Sequence, residues 1–439
     1  MKKFIGVFIA MLLLLSLGLA GCSNSGSKDT ASKKGKVEVD FWHAMSGDNG
    51  KVLQGIVDDF NKQSKDVYVK AIYQGSYDDA LSKLRAVGGS DQAPALVQTF
   101  EIGTKYMSTS GFVTPMQKFI DKDKFDTSKL EKNILDYYTI DGKLYSMPFN
   151  TSNAVMFYNK DMFKKAGLDP NKPPRTFSEV EDAAKKLTKK GKTHGYTNAT
   201  IGWFFEELMA NQNALYLNND NGRKGDATKS LVNSDAGLKI FNWLNDMNKA
   251  GTFKNYGNQW EDPRGPFFAQ QVGMYLDSTA NTAEVIKNSP FDVGTAPLPV
   301  PDGTDPQGVI VGGASLWITN KVSEKKQDAA WEFIKYLTQS KVQAKWAAGT
   351  GYFPISPEAY NEPELKKIYD KYPQYKVAVK QLEDTKSTPA TQGALTTIMP
   401  ESRKIIESAL EKMYQGTDPK KALDEAAKQI DQALSKKES

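Results

Sequence analysis

Between Val37 and Phe100 two periodicities alternate, and no other feature of the chain restricts its fold so tightly. Val37-Glu38-Val39-Asp40-Phe41-Trp42 has the period of a strand, Val52 to Phe60 sets Leu53, Ile56 and Val57 at helical spacing, and Val67 to Tyr73 returns to the strand pattern. Leu81 to Val87 is helical again and Ala95 to Phe100 is a third strand. Such an order with short connections predicts a parallel sheet covered by helices on both faces. Ligands of these sheets gather outside the carboxyl ends of the strands, which marks Trp42-His43, Gly75-Ser76-Tyr77 and Glu101. Each has a purely structural alternative. Tyr77 can enter a helix with its ring in the core, Glu101 can be a surface acid at a helix start, and His43, one of two histidines, can be a hydrogen-bonded structural residue.

A second constraint lies at Gly308 to Thr319, G-V-I-V-G-G-A-S-L-W-I-T. Val309 to Val311 and Leu316 to Ile318 are strand-like runs, and Gly312-Gly313-Ala314-Ser315 between them removes the side chains. Glycine within a strand pattern means a bend, a bulge or a close approach to the backbone. Upstream, the extended stretch Leu144 to Asp161 is broken by Pro148 and by Asn150-Thr151-Ser152, as expected where a chain leaves one lobe for another. Thr176-Phe177-Ser178-Glu179 is a capping box opening a helix through Leu187, while Trp203 to Met209 and Ala236 to Met247 read as amphipathic helices. Val272 to Leu276 is a strand, and Ser278 follows it at a strand-to-helix turn, placed either as a plain N-cap or beside free helix N–H groups that favour an anion. Helices are expected over Gln327 to Leu337, Pro400 to Met413 and Pro419 to Leu434. Arg403 falls in the first turn of its helix, against the helix dipole, so it either idles in solvent or faces an anion.

Lys2-Lys3, the uncharged apolar run Phe4 to Leu17 and Leu19-Ala20-Gly21-Cys22 read as a secretory signal ending in a bacterial lipobox. Residues 1–21 would be the signal peptide and Cys22, the single cysteine, the lipidated N-terminus. Residues 22–36 read as a flexible tether reaching roughly 20 Å. The roughly 400 residues that remain exceed one ordinary core and predict two lobes. With 39% hydrophobic and 25% charged residues the rest is globular, and the net charge of +5 is scattered among alternating signs. No basic stripe interleaved with aromatics points to nucleic acid.

Seven segments carry a family likeness: F-W-H-A-M-S-G, Q-G-S-Y, F-E-I-G-T, P-F-N-T-S, Y-N-K-D-M-F-K-K-A-G-L-D-P, V-G-G-A-S-L-W-I and T-G-Y-F-P-I-S, in this order across nearly the whole mature chain. Together they resemble the substrate-binding proteins of ABC importers for sn-glycerol 3-phosphate and glycerophosphodiesters, within the extracytoplasmic solute-binding family that includes maltose-binding protein. The resemblance implies an α/β, type II periplasmic-binding-protein-like fold of two hinged lobes with the ligand between them. Lobe one would be 37–149 plus 314–353, and lobe two 150–313 plus 354–437. It further implies a lipid-anchored receptor on the outer face of the cell membrane, a monomer without cofactor, metal or enzymatic activity, delivering its ligand to an ABC permease. Tyr77 and Glu101 would hold the glycerol hydroxyls, Ser152, Ser278, the Gly313 N–H, Tyr352 and Arg403 the phosphate, and Trp203 would wall the pocket. Since a carboxylate repels a phosphate, Glu101 and the phosphate group are expected at opposite ends of the ligand. Two alternatives stand beside this. A neutral oligosaccharide would be met by stacking aromatics such as Trp42, Trp203, Trp260 and Tyr352, and an exported glycerophosphodiester hydrolase would need a metal cluster or an activated nucleophile.

Overall fold

The computed structural model describes residues 35–437. Cys22, the signal segment and nearly all of the tether therefore lie outside the described residues. The strands are β1 (Val37–His43), β2 (Val67–Tyr73), β3 (Leu96–Phe100), β4 (Val113–Thr114), β5 (Thr139–Ile140), β6 (Lys143–Leu144), β7 (Met147–Ser152), β8 (Ala154–Asn159), β9 (His194–Asn198), β10 (Val272–Ser278), β11 (Val293–Ala296) and β12 (Gly312–Thr319). The predicted alternation is present: β1 lies parallel to both β2 and β3, with the helices Gly47–Gln63 and Tyr77–Val87 as crossovers. The sheet continues as β2-β1-β3-β12-β4, with β7 also on β12. Here it departs from an all-parallel sheet, because β12 runs antiparallel to β3, β4 and β7. A second sheet has the order β11-β8-β10-β9 and draws its strands only from residues 154–296.

Period-two alternation along β12 sends its large side chains to opposite faces. Trp317 enters one apolar cluster, with Phe100, Trp203 and Phe204, whereas Leu316 and Ile318 enter another, with Phe41, Phe149 and Trp346. Both faces are buried, which is why the run reads as continuously apolar rather than alternating. The capping box forms as predicted, Thr176 Oγ1 accepting from the Glu179 N–H at 3.3 Å and Glu179 Oε2 from the Thr176 N–H at 3.2 Å.

Two elements differ from expectation. Trp203 to Met209 is not amphipathic, since all ten residues of the helix Gly202–Asn211 are buried, including Glu206 and Glu207. Glu206 and Glu207 find partners inward, at Arg403 and at the Ile310 N–H, so neither acid needs a solvated face. Val309 to Val311 are not a strand, and the backbone donors leading through Ile310 go to side chains instead of a neighbouring strand. The Gly308 N–H donates to Asn211 Oδ1 at 3.0 Å, the Val309 N–H to Thr385 Oγ1 at 3.2 Å and the Ile310 N–H to Glu207 Oε2 at 2.9 Å.

The chain passes between the two sheets at Asn153, linking β7 to β8, and again through residues 297–311 ahead of β12. The segment Tyr352-Phe353 lies against the first of them. These passages are neighbours: Ser152 pairs with Gly312, Thr151 with Gly313, and the Phe353 N–H donates to the Thr151 carbonyl at 2.7 Å.

Candidate functional site

Tyr77 is the first residue of the helix Tyr77–Val87, fixed there by a second capping box in which Ser76 and Asp79 satisfy each other's backbone. Its ring stacks on Phe100 with centroids 5.4 Å apart, so the helix-entry reading holds. Its hydroxyl is nonetheless aimed at polar partners. Asn150 Nδ2 donates to it at 2.9 Å, and Gln98 Nε2 donates to Asn150 Oδ1 at 2.8 Å. Burial raises the Tyr77 hydroxyl well above its ordinary pKa, and the Tyr352 hydroxyl, also raised by burial, lies beside the same two groups. Tyr352 is held from behind by Trp346, whose ring stacks on it at 5.3 Å.

Glu101 follows β3 directly and is 4% exposed, not a surface acid. Burial raises its pKa while the Arg403 guanidinium pulls it back down. Arg403 Nη2 donates to Glu101 Oε1 at 2.6 Å and to Glu206 Oε2 at 2.7 Å, and Nε donates to Glu206 Oε2 at 2.9 Å. The helix begins at Met399, so Arg403 is its fifth residue and lies past the first turn, where the dipole no longer decides its surroundings; it faces anions, and they belong to the protein. Burial opposes its charge, but the two carboxylates raise its pKa above the ordinary value. The expected separation of Glu101 from the phosphate-side arginine is therefore corrected: they are in direct contact, because a buried carboxylate 4% exposed needs a counter-charge at hydrogen-bond distance.

Trp203 sits one residue after Gly202, where a Cβ would come within 2.8 Å of Arg403 Cα. Its indole edge lies over Gly312, where an added Cβ would be 2.6 Å from Trp203 Cζ2 and 3.2 Å from Ser152 Oγ. Close approach at the glycine pair thus comes from an indole on one side and, at Gly313 (φ +93°), from the Asn150 carbonyl on the other. The Trp203 Nε1 is buried without a hydrogen-bond partner. Ser278 ends β10 and behaves as an N-cap, its Oγ accepting from the Ala280 N–H at 3.2 Å. Asp277 fixes that turn, accepting from the Ser278 N–H at 2.7 Å and from Arg264 Nε at 2.8 Å. The next residue, Thr279, presents its carbonyl to Gly351, beside Tyr352. Three groups of the expected residues are brought together, Tyr77 and Tyr352 at Asn150, Glu101 with Arg403, and Trp203 with Ser152 at the Gly312–Gly313 pair, while Ser278 is held in its own turn.

His43 takes the structural part. It is 7% exposed, its Nδ1 accepts from the Met45 N–H at 3.3 Å, and burial lowers its pKa to about 4. Among the described residues no group of three or more His, Cys, Asp or Glu is arranged to hold a metal ion, and no helix is long and apolar enough to cross a membrane. Sequence reasoning missed Asn150, Glu206 and the Asp277–Arg264 pair. Glu206-Glu207 carried a usable signal, two adjacent acids in the apolar run W-F-F-E-E-L-M-A.

Glu207 gives a pH prediction. It is fully buried, one oxygen serves the Ile310 N–H, the other is unpartnered, and burial raises its pKa well above the ordinary 4.5. A carboxyl that holds its proton more tightly folded than unfolded contributes stability below pH 4.5 that is lost as pH rises toward the folded value. Glu207→Gln keeps the acceptor and removes the titration. Urea unfolding from about pH 4 to pH 8 should therefore show the variant gaining on the parent as pH rises; a pH-independent difference would count against a protonated Glu207.

The family model described as bacterial extracellular solute-binding protein matches residues 55–377. The sn-glycerol-3-phosphate-binding periplasmic protein UgpB of Brucella melitensis biotype 1 is 33% identical over 406 residues, covering 91% of this chain and 93% of that protein. The protein of the same name from Agrobacterium fabrum is 31% identical over 427 residues, covering 96% and 98%. Among solved structures, UgpB from Mycobacterium tuberculosis in complex with glycerophosphocholine superposes with a TM-score of 0.79 at 22% identity over 92% of this chain and 100% of that one. The cyclic alpha-maltosyl-1,6-maltose binding protein from Arthrobacter globiformis gives 0.73 at 24% identity over 91% and 99%. These two likenesses establish the two-lobed, maltose-binding-like α/β fold.

Proposed function

Because the chain belongs to the bacterial extracellular solute-binding proteins, which bind a small molecule and deliver it to an ABC permease rather than catalyse a reaction, we propose that its ligand is sn-glycerol 3-phosphate or a glycerophosphodiester. The observation that carries this reading is the buried Arg403–Glu101 contact, together with the Tyr77 and Tyr352 hydroxyls gathered at Asn150. A guanidinium is the side chain best suited to a phosphate, and carboxylate, amide and phenol oxygens suit a glycerol. The ligand named for the 33%-identical relatives has both halves.

In this reading Tyr77 and Glu101 take the glycerol, and Arg403, Ser152, Ser278, Tyr352 and the Gly313 N–H take the phosphate, with Trp203 closing one wall. Residues 37–149 with 314–353 and residues 150–313 with 354–437 form two lobes. They close by hinge bending of the kind known for periplasmic binding proteins generally, the ligand favouring the closed form by its differential affinity. Lipid on Cys22 holds the receptor, a monomer, at the outer face of the membrane.

The test is calorimetric titration of the soluble chain with sn-glycerol 3-phosphate, glycerophosphocholine and maltose. Binding of either phosphate compound and not maltose is expected. Binding of maltose alone would transfer the site to the oligosaccharide class, and release of choline from glycerophosphocholine would make the protein a hydrolase.

A further inference from the structure

Two of the three guanidinium nitrogens of Arg403 are already engaged. Nε and Nη2 converge on a single oxygen of Glu206, while Nη2 also serves Glu101. Glu206 reaches this position from within the buried helix Gly202–Asn211, where it is 2% exposed, so it cannot turn to water unless the helix moves. The helix in turn is fixed against Arg403 by the crowding at Gly202, whose N–H also donates to Glu407 Oε1 at 3.1 Å. Two carboxylates on one guanidinium leave an excess negative charge inside the protein. The surrounding groups do not cancel it at close range. Glu207 turns to the Ile310 N–H and brings no positive charge, Glu407 has Lys404 as its own partner at 3.0 Å, and Arg223 gives its hydrogen bonds to the carbonyls of Gly393 and Gln392.

We propose that Glu206 determines which organophosphates the site accepts: it competes with the phosphate for Arg403 and so disfavours a dianionic phosphomonoester relative to a monoanionic, zwitterionic phosphodiester. This rests on the reading of the site given above and sharpens it. Near neutral pH a phosphomonoester carries close to two charges, whereas a phosphodiester carries one. The second charge is repelled by Glu206 at hydrogen-bond range from the same guanidinium. A diester with a quaternary ammonium substituent brings the missing positive charge. It would also find an indole surface at Trp203, one turn before Glu206 on the same helix.

Glu206→Gln keeps an acceptor for Arg403 and removes the charge. Titrations of parent and variant with sn-glycerol 3-phosphate and with glycerophosphocholine at pH 7.5 to 8 give two affinities each. The expected result is that the affinity ratio, monoester over diester, rises about tenfold in the variant. A role in packing or in lobe closure alone would move both affinities together, so an unchanged ratio overturns the inference and leaves the proposed ligand class intact. If the parent binds neither compound, the ligand class falls and the inference with it. Should Glu206→Gln not fold, Glu206→Asp, which draws the charge back by one methylene, must shift the ratio in the same direction.

Discussion

Arg403→Ala is expected to weaken glycerol-phosphate binding by roughly 2 kcal/mol, about thirtyfold, and to destabilise the protein as well. The second effect follows from geometry. Removing the guanidinium leaves Glu101 and Glu206, 4% and 2% exposed, as buried carboxylates without their counter-charge. Breaking a buried pair by removing one partner costs roughly 3 kcal/mol. Without the cation burial acts unopposed on Glu101, which then holds its proton more tightly folded than unfolded. The stability deficit is then largest at neutral pH and shrinks below about pH 4, where the unfolded chain holds that proton too. Thermal unfolding at two pH values, with a titration of each ligand at 20 °C or below where the variant remains folded, checks both parts. Unchanged affinity would remove Arg403 from the site, whatever the stability.

Gly313→Ala carries the other large effect. The residue has φ +93°, and an added Cβ would collide with the Asn150 carbonyl, a backbone atom of the paired strand β7. A flexible side chain could step aside, but a paired carbonyl cannot without opening the β7–β12 ladder. The left-handed conformation alone costs about 1 kcal/mol for alanine; with the collision, a loss above roughly 3 kcal/mol is expected. Gly303→Ala separates the two terms, because Gly303 has φ +72° and nothing within 4 Å of the added atom. Urea midpoints of the two variants should differ widely. Similar midpoints would mean that the ladder yields easily.

The strands and helices from Val37 to Phe100 were legible because one face of each helix, of β1 and of the first half of β2 is buried more deeply than the other, which writes its period into the sequence. The segment 309–311 was not legible in the same way. β-branched residues there favour an extended backbone, but the partners of that backbone are Asn211, Glu207 and Thr385, far away in sequence. The helix Gly202–Asn211 misled for the opposite reason: acids in an apolar run imitate a solvated face, although these two point at a guanidinium and at a main-chain donor. At the site, strand ends and the glycine pair marked Tyr77, Glu101 and Gly313 from pattern alone, while Trp203, Ser152, Tyr352 and the ligand role of Arg403 needed the family resemblance. The contact between Glu101 and Arg403 was beyond both, since nothing local records a pairing between residues 302 positions apart.

The segments at Ser152, Gly312 and Phe353 form a narrow strap whose members are stitched to one another crosswise. In the closure proposed above, sliding one lobe past the other would tear those stitches, and twisting would shear them. Bending across the strap would leave every stitch in place, so that motion would be the soft coordinate, like the leaf of a flexure, and the others stiff.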